Sequence, residues 1–405
     1  MTVRRVAALA GVVAALACGR DAPAERPPPA GDPKSDARAS TFRVAVFNTA
    51  LSREDEGVLR SALASGADPQ ARDVATILQV VRPDVVLLLE VDRDPAVADA
   101  FVRQYLEADL GVAEGPLRLS HRVQPPTNTG VPSGLDLDRD GTRDGPGDAL
   151  GFGAFPGQYG MLVLSRYPLA LRRCWGELLW RDTAAPMPDD SASPAPADWY
   201  GPEAKQRLPL SSKNHCDITV TAPGGPLQLL ISHPTPPVFD GSEDRNGLRN
   251  AAEIGVWSDW LDGGDALGAP LPPGARFVLA GDLNADPHDG EADHAAIARL
   301  LSHPRLSRHS APESRGGVAA AARDGGPNRT HAGPAQCDTA DFPEGERGPG
   351  NLRTDYVLPS STLTVADAGV FWPAPGEPYA PTVACSDHRL VWVDLEVPDL
   401  EPPTP

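Results

Sequence analysis

The chain has 405 residues, with 36 lysine and arginine residues against 55 aspartate and glutamate residues, which gives a formal net charge of −19. This charge disfavours non-specific binding to duplex nucleic acid, because such binding needs many cations to displace counterions from the phosphate backbone. It does not exclude a phosphorylated substrate that is bound by a few local cations. The length is sufficient for a large α/β domain with insertions.

The N-terminus is typical of an export signal. Arg4 and Arg5 precede an apolar run that is too short to span a bilayer as a helix. We predict a signal peptide over residues 1–17, which places the mature protein outside the inner membrane. Cys18 follows directly, and we predict that it carries a lipid tether. The protein would then be an outer-membrane or periplasmic lipoprotein. Secretion without lipidation is the alternative.

Two terminal segments have compositions that do not favour a packed structure. Residues 18–40 are rich in proline, alanine and charge, which predicts a flexible tether. Residues 398–405 predict a flexible tail. No equally clear linker interrupts residues 41–397, so we predict a single domain there.

The first part of this domain alternates strands and helices. Apolar patterning predicts a strand, a helix, a strand and a helix over residues 42–47, 54–82, 85–89 and 95–110. The first strand ends at Asn48 and the second ends at Glu90. This alternating order indicates an α/β protein.

Residues 124–157 form a long insertion that contains a calcium-loop pattern. Carboxylates occupy loop positions one, three, five and nine, and a glycine occupies position six; these residues are Asp136, Asp138, Asp140, Asp144 and Gly141. Position twelve is Gly147, with Asp148 next to it. An acidic, glycine-rich turn is the alternative. The glycine at position six is what the sharp turn of a calcium loop requires, and it favours a structural Ca²⁺ site.

The second part of the domain continues with strands and two helices. Strands are predicted over residues 158–168, 214–221, 226–232, 277–280, 354–358 and 389–397, and helices over residues 248–261 and 291–301. We predict that residues 307–350 form a second long irregular insertion.

Polar side chains follow several of these strands. The run FVLAGDLN places Asp282 and Asn284 on one face if the strand geometry continues, although both residue types are also common in turns. Similar residues stand at the other strand boundaries: Asn48, Glu90, His233, Asp355, Asp387 and His388. Because ligands of α/β sheets gather at strand ends, the repetition predicts one common site. Oxygen ligands with imidazoles, and without clustered thiolates, favour Mg²⁺ or Mn²⁺ over structural zinc.

The order and spacing of these residues resemble the endonuclease/exonuclease/phosphatase superfamily of deoxyribonuclease-like, metal-dependent phosphoesterases. The motifs that carry the resemblance are Leu89-Glu90, Tyr159-Gly160, Gly281-Asp282-Leu283-Asn284, Asp355-Tyr356 and Ser386-Asp387-His388. The His-Pro-Thr-Pro-Pro segment that begins at His233 and the segment Asp240 to Gly247 resemble those of secreted bacterial members of the superfamily. The resemblance implies a four-layer α-β-β-α sandwich, with two facing mixed sheets and helices outside.

The resemblance also implies a metal site and a phosphate-binding histidine. Asn48 and Glu90 are the implied ligands of the divalent ion, with Asp387 assisting. His388 is implied to contact the scissile phosphate, and Asp355 is the candidate carboxylate that orients it.

The remaining implied roles concern water and the phosphoryl oxygens. Asp282 is implied to orient or deprotonate the attacking water, while Asn284 and His233 steady the oxygens of the transferred group. Arg166 and Arg245 are candidates for further substrate contacts.

The implied activity is divalent-metal-dependent hydrolysis of phosphate monoesters or diesters. The substrate is then a small ester, a phospholipid or a nucleic acid, and no protein partner is predicted. One alternative is an extracellular nuclease of the same fold. A second is a non-enzymatic, calcium-dependent surface binding protein.

Four cysteines remain after Cys18, an even number that indicates two disulfides in an exported chain. Sequence alone permits three pairings of four cysteines. We predict that Cys174 pairs with Cys216 and that Cys337 pairs with Cys385.

Overall fold

The computed structural model describes residues 41–188, 199–343 and 348–397. The predicted signal peptide, the lipidation site at Cys18, the tether and the C-terminal tail lie outside the described residues. No helix in the described ranges is long and apolar enough to cross a membrane.

The first sheet has six strands in the order β12-β13-β1-β2-β4-β3. Their bounds are β1 Thr41–Asn48, β2 Val85–Val91, β3 His121–Val123, β4 Gly160–Ser165, β12 Val365–Phe371 and β13 Leu390–Glu396. The sheet is mixed, because β1 runs parallel to β2 and antiparallel to β13.

The second sheet has five strands in the order β11-β8-β7-β6-β5. Their bounds are β5 Leu169–Cys174, β6 His215–Val220, β7 Leu227–Ser232, β8 Phe277–Asp282 and β11 Asp355–Pro359. This sheet is also mixed, with β7 and β8 parallel and the other pairs antiparallel. A short ribbon pairs β9 Ala340–Asp341 with β10 Asn351–Leu352.

Seven α-helices are described alongside the sheets. Their bounds are α1 Val58–Ala64, α2 Pro69–Val81, α3 Pro95–Phe101, α4 Pro202–Arg207, α5 Arg245–Leu261, α6 His294–Leu301 and α7 Arg315–Asp324. The long helix α5 begins at Arg245, three residues before its predicted start.

Alternation along the strands separates the core into layers. Val44 and Val46 of β1 face inward onto the second sheet, in one apolar cluster with Val278 of β8. Ala45 and Phe47 face outward, in the cluster that includes α1, α2 and α3. The outer face of the second sheet packs against α5 and α6. The four-layer α-β-β-α fold is therefore confirmed, and it follows from the two-residue period of the strands.

Several local predictions differ from the structure. The single helix predicted over residues 54–82 is two helices, α1 and α2, because the chain turns at Gly66, which has a φ of 67°. The second insertion contains α7 and is therefore not wholly irregular. Strand β12 was not predicted, because its sequence VADAGVF has neither a continuous apolar run nor a regular alternation of apolar and polar residues.

One of the two predicted disulfides is present. Cys174 and Cys216 lie opposite each other on β5 and β6 and are bonded. The pairing of Cys337 with Cys385 is wrong, since both thiols are free and buried. Cys385 packs in the apolar layer with α2, whereas Cys337 lies in a turn after α7, so each thiol is enclosed by a different part of the chain.

Candidate active site

The ends of six strands, three from each sheet, meet between the two sheets. Asn48 ends β1 and lies opposite Leu89 on β2, so its side chain stands beside Glu90. Asp282 ends β8 and lies directly opposite Asp355 on β11. The register of the two sheets therefore brings carboxylates from distant parts of the sequence to one place.

Glu90 is positioned by an irregularity in β2. The pairing of β2 with β4 shifts register between Leu89 and Val91, and Glu90 has a φ of 56°. A bulge of this kind redirects one side chain out of the regular alternation. The left-handed backbone of a non-glycine residue is strained, and such strain is concentrated at functional sites.

A close approach between strands fixes the position of Asp282. A Cβ atom on Gly281 would lie 2.0 Å from the backbone oxygen of Ser232 on β7, so only glycine fits there. Asp282, which follows Gly281, is thus held against the end of β7, beside His233.

Asp282 lies at the centre of the cluster and is buried. Its Oδ2 atom accepts a hydrogen bond from Asn48 Nδ2 at 3.0 Å. The same oxygen is 3.5 Å from His233 Nε2 and 3.6 Å from His388 Nε2. Its other oxygen, Oδ1, accepts a hydrogen bond from the backbone N–H of Asn284 at 2.9 Å. A single carboxylate oxygen therefore touches three of the side chains that the sequence singled out.

His388 is held by a second buried carboxylate. Its Nδ1 atom is 2.9 Å from Asp355 Oδ2. The hydroxyl of Thr339 donates to that same oxygen at 2.9 Å, and the hydroxyl of Thr354 donates at 3.1 Å. The imidazole thus lies between the carboxylates of Asp355 and Asp282.

These contacts determine the charge of His388. Burial alone lowers its pKa, but the carboxylates of Asp355 and Asp282 outweigh burial and raise the pKa from 6.5 to about 10. His388 is therefore an imidazolium at neutral pH and the cationic member of the cluster.

The pKa of Asp282 is shifted in the same direction for a different reason. Burial is the main cause, and repulsion from Asp355 adds to it, so the pKa rises to about 7 even though His388 and Asn48 oppose the shift. A carboxyl group with a pKa near neutrality is suited to proton transfer.

His233 and Asn284 complete this side of the cluster. Burial lowers the pKa of His233 well below 6.5, and the charges of Lys213 and His388 lower it further. The ring is therefore neutral, and its Nδ1 atom is buried without a hydrogen-bond partner in the described part of the chain. Asn284 has a φ of 51° and donates from Nδ2 to the carbonyl of Pro234 at 3.1 Å.

Asp387 lies beside this cluster rather than within its buried part. Its side chain is exposed, and its carboxylate is 3.5 Å from the hydroxyl of Ser386. That hydroxyl also donates to the backbone carbonyl of Asn48 at 2.8 Å, which attaches the segment to the end of β1. The buried guanidinium of Arg389 pairs with Asp341 at 2.9 Å and makes the segment rigid.

The oxygen atoms of the cluster are ligands that suit a hard divalent cation. Asn48 donates to Glu90 Oε1 at 3.2 Å and to Asp282 Oδ2, so an amide and two carboxylates stand together. A third carboxylate, that of Asp355, lies opposite Asp282 on the neighbouring strand. Oxygen-rich, negatively charged sites of this kind suit Mg²⁺ or Mn²⁺.

The spacing of Asp282, Asp355 and His388 would also allow a metal ion, since their ligand atoms lie within 4.8 Å of one another. Both ring nitrogens of His388 face carboxylates, however, and its raised pKa fits a protonated ring better than a metal ligand. Asn48 and Glu90 therefore remain the candidate ligands of the divalent ion.

The structure adds residues that the sequence did not reveal. Thr339 orients Asp355 from within the supposedly irregular insertion. Lys213 is buried near His233, Glu90 and Asp282. The two arginines that are candidates for substrate contacts each pair with an acid: Arg166 with Asp84 at 3.3 Å, and Arg245 with Glu243.

The acidic loop forms a separate cluster. Asp136 and Asp138 have ligand atoms within 4.8 Å of one another and of Asp148. Asp140 and Asp144 are not part of this group; Asp140 accepts hydrogen bonds from Thr142 instead. The 3-10 turn Pro146–Asp148 carries Asp148 back to the loop, where it accepts from the N–H of Leu137 at 2.7 Å.

The four-layer fold, with this oxygen-rich cluster at the strand ends, defines a class of metal-dependent phosphoester hydrolases. The chain belongs to the Endonuclease/Exonuclease/phosphatase family, whose family model matches residues 45–388. It is therefore a metal-dependent phosphoesterase.

Solved structures include distant relatives of the chain. An endonuclease/exonuclease/phosphatase from Beutenbergia cavernae DSM 12333 is 18% identical over 88% of this chain and 72% of that chain, with a TM-score of 0.47. A family protein from Leptotrichia buccalis C-1013-b is 13% identical over 88% and 99%, with a TM-score of 0.47. Sphingomyelinase C from Streptomyces griseocarneus is 15% identical over 87% and 99%, with a TM-score of 0.42. No curated protein matches the chain.

Proposed function

We propose that this phosphoesterase uses Mg²⁺ or Mn²⁺ and that Asp282 is the base that activates the attacking water. The observation that carries the proposal is the position of Asp282 Oδ2, which lies within 3.6 Å of Asn48, His233 and His388 in a buried site. With a pKa of about 7, this carboxylate is ionised in a substantial fraction of molecules at neutral pH.

His388 supplies positive charge to the reacting phosphate. Its imidazolium donates from Nδ1 to Asp355, which leaves the Nε2 proton on the side of the cluster where Asp282 lies. There it donates to a non-bridging oxygen, whose charge grows as the phosphoryl group is transferred. Asp355 and Thr339 keep the ring in that orientation.

His233 and Asn284 act as neutral groups. The low pKa of His233 leaves a neutral ring that donates or accepts one hydrogen bond without adding charge. The backbone N–H of Asn284 holds Asp282 in place. Asn48 and Glu90, with Asp387 assisting, would hold a divalent ion, and that ion would neutralise charge on the phosphate oxygens.

The proposed substrates are small or exposed phosphate esters rather than duplex DNA. The net charge of −19 supports this preference, since a duplex must be held by many cations along its backbone. We propose that the enzyme is exported and tethered through Cys18, on the basis of the N-terminal sequence. An extracellular nuclease is the second candidate, because the same cluster would cleave a nucleic acid phosphodiester.

We also propose that the cluster of Asp136, Asp138 and Asp148 is a structural Ca²⁺ site. The Oδ1 atom of Asp136 is buried and has no hydrogen-bond partner within residues 41–188, 199–343 and 348–397, and such an atom is costly to leave unsatisfied. Calcium should raise the melting temperature of the wild-type protein and raise it much less in Asp138→Asn. Asp367→Asn, which changes an exposed acid on β12, is the matched control. Equal calcium responses in all three proteins would contradict the site.

The function is tested with a panel of phosphate monoesters, phosphodiesters, phospholipids, single-stranded DNA and duplex DNA, each assayed with Mg²⁺ and with Mn²⁺. We expect turnover of at least one small ester or phospholipid. Asp282→Asn and His388→Ala should each lower kcat by about 100-fold or more while the fold is retained. Near-normal turnover in both variants would refute the mechanism. Cleavage of duplex DNA alone would instead favour the nuclease.

A further inference from the structure

Lys213 stands at the active site because of the register of one hairpin. Strands β6 and β7 pair antiparallel with His215 opposite Ser232. Continuing this register past the strand ends places Lys213 opposite Pro234, next to His233. The backbone carbonyl of Lys213 accepts a hydrogen bond from the N–H of Asn128 at 3.0 Å, so the segment is held in place.

The side chain of Lys213 is buried, and its ammonium group has no polar partner among the residues that the structure describes. The residue is only 7% exposed. Among the described residues, no hydrogen bond or ion pair engages its ammonium group. The nitrogen also retains some contact with solvent, unlike the sealed Nδ1 atom of His233. Lysines are rarely buried without a partner, because the charge is costly to desolvate.

The charges around Lys213 are those of the active site. Burial lowers its pKa, while Glu253, Glu90 and Asp282 act to raise it. Its own charge lowers the pKa of His233. The ammonium is therefore close enough to the catalytic cluster to affect the charge of a group that binds there.

A purely structural role, as the counterion of buried Glu253, is the main alternative. Glu253 already accepts hydrogen bonds from the N–H and hydroxyl of Ser212, at 2.7 and 3.0 Å, and from the N–H of Thr235 at 2.6 Å. Its two oxygens are thus satisfied without Lys213, and no ion pair joins the two side chains in the described residues.

We propose that Lys213 binds a non-bridging oxygen of the substrate's phosphoryl group, as a second cation alongside His388. This inference rests on the proposed hydrolysis of phosphate esters at the same site. A phosphate oxygen supplies the partner that the ammonium lacks, and its negative charge favours the protonated lysine. Lysine is a common phosphate ligand in proteins because it acts as a compact point charge.

The binding step is tested by NMR with inorganic phosphate as the probe. The chain contains three lysines, Lys34, Lys205 and Lys213. Protein labelled with ¹³Cε-lysine should therefore give three signals, assigned with Lys205→Arg and Lys213→Arg. We expect phosphate, with Mg²⁺ present, to shift the Lys213 signal saturably and to leave the Lys205 signal in place. An unmoved Lys213 signal, at phosphate concentrations that saturate the protein by calorimetry, would overturn the proposal.

The contribution of the charge to phosphate binding is tested with Lys213→Met, which keeps most of the unbranched side chain and removes the charge, and with Lys205→Met as the control. We expect the inhibition constant of phosphate to rise about 10- to 100-fold in Lys213→Met, the usual range for a lost charge-assisted hydrogen bond. A structural counterion would instead lower the melting temperature and leave that constant unchanged, and this result would overturn the proposal.

The two proposals fail separately. If the wild-type protein hydrolyses no phosphate ester, the proposed function fails, and the NMR titration still decides whether Lys213 binds phosphate. If the wild type is active and Lys213→Met is equally active and equally inhibited, only the role of Lys213 fails.

Discussion

The substitution Asp355→Asn should lower the pKa of His388. In the wild type this pKa is about 10, against an ordinary value of 6.5. The difference of about 3.5 units corresponds to about 5 kcal/mol in favour of the protonated ring, at about 1.4 kcal/mol per unit. Asp355 is the largest of the raising influences, and removing one adjacent charge usually changes a pKa by about 1–3 units. The carboxylate of Asp282 remains in this variant, so the pKa of His388 should stay above 6.5.

The raised pKa also links His388 to stability. Since the pKa in the folded protein exceeds the unfolded value, the stabilisation is complete below about pH 6.5 and is lost as the pH rises through about 10. Asp355→Asn should therefore lower the melting temperature at pH 7. The variant should also lose less stability than the wild type when the pH is raised from about 6.5 to about 10.

The assay is an NMR titration of the histidine ring Cε1–H signals in metal-free protein, with the His388 signal assigned by His388→Gln. Asp367→Asn changes the net charge equally at an exposed site and should leave the titration unmoved. If Asp355→Asn shifts the midpoint of His388 by less than about half a unit, the ion pair does not set the charge of the ring.

Two further predictions concern the scaffold. The double variant Cys174→Ser, Cys216→Ser should unfold in urea with a free energy of unfolding about 4 kcal/mol lower than that of the wild type, because the disulfide closes a loop of 42 residues. A decrease of less than about 1 kcal/mol would mean that the disulfide is structurally unimportant. Gly281→Ala should lower both stability and turnover, since its Cβ would clash with the backbone of β7 and displace Asp282. Gly255→Ala, in α5 with no atom within 4 Å of its Cβ, should instead be neutral or stabilising. Equal effects of the two glycine substitutions would contradict the close approach of β7 and β8.

The strand-end residues were predictable because buried strands have a strong signal in sequence. An apolar run followed at once by Asn48, Glu90 or Asp282 identifies both the strand and the edge where it ends. The layered arrangement of two facing sheets was implied by the family resemblance that these strand-end residues carry, because the uniformly apolar strands do not show which residues face the opposite sheet.

The remaining features depend on contacts between distant segments. Thr339 reaches Asp355 through tertiary packing, and no local pattern marks it. Lys213 follows an unremarkable Leu-Ser-Ser sequence and meets His233 only through the hairpin register. Extending that register by two residues from the predicted hairpin would have been the available signal. The free thiol of Cys385 could not be predicted, because pairing depends on which layer each cysteine enters.

The central claim is that this cluster hydrolyses phosphate esters with a divalent metal ion held at Glu90. The most direct measurement is ester hydrolysis by chelated protein as Mg²⁺ or Mn²⁺ is restored, in the wild type, in Glu90→Gln and in the exposed control Glu203→Gln. We expect no turnover in chelator, full recovery with metal in the wild type and the control, and at least about tenfold more metal for half-recovery in Glu90→Gln. Full activity in chelator, or the same metal requirement in Glu90→Gln and the wild type, would contradict the claim.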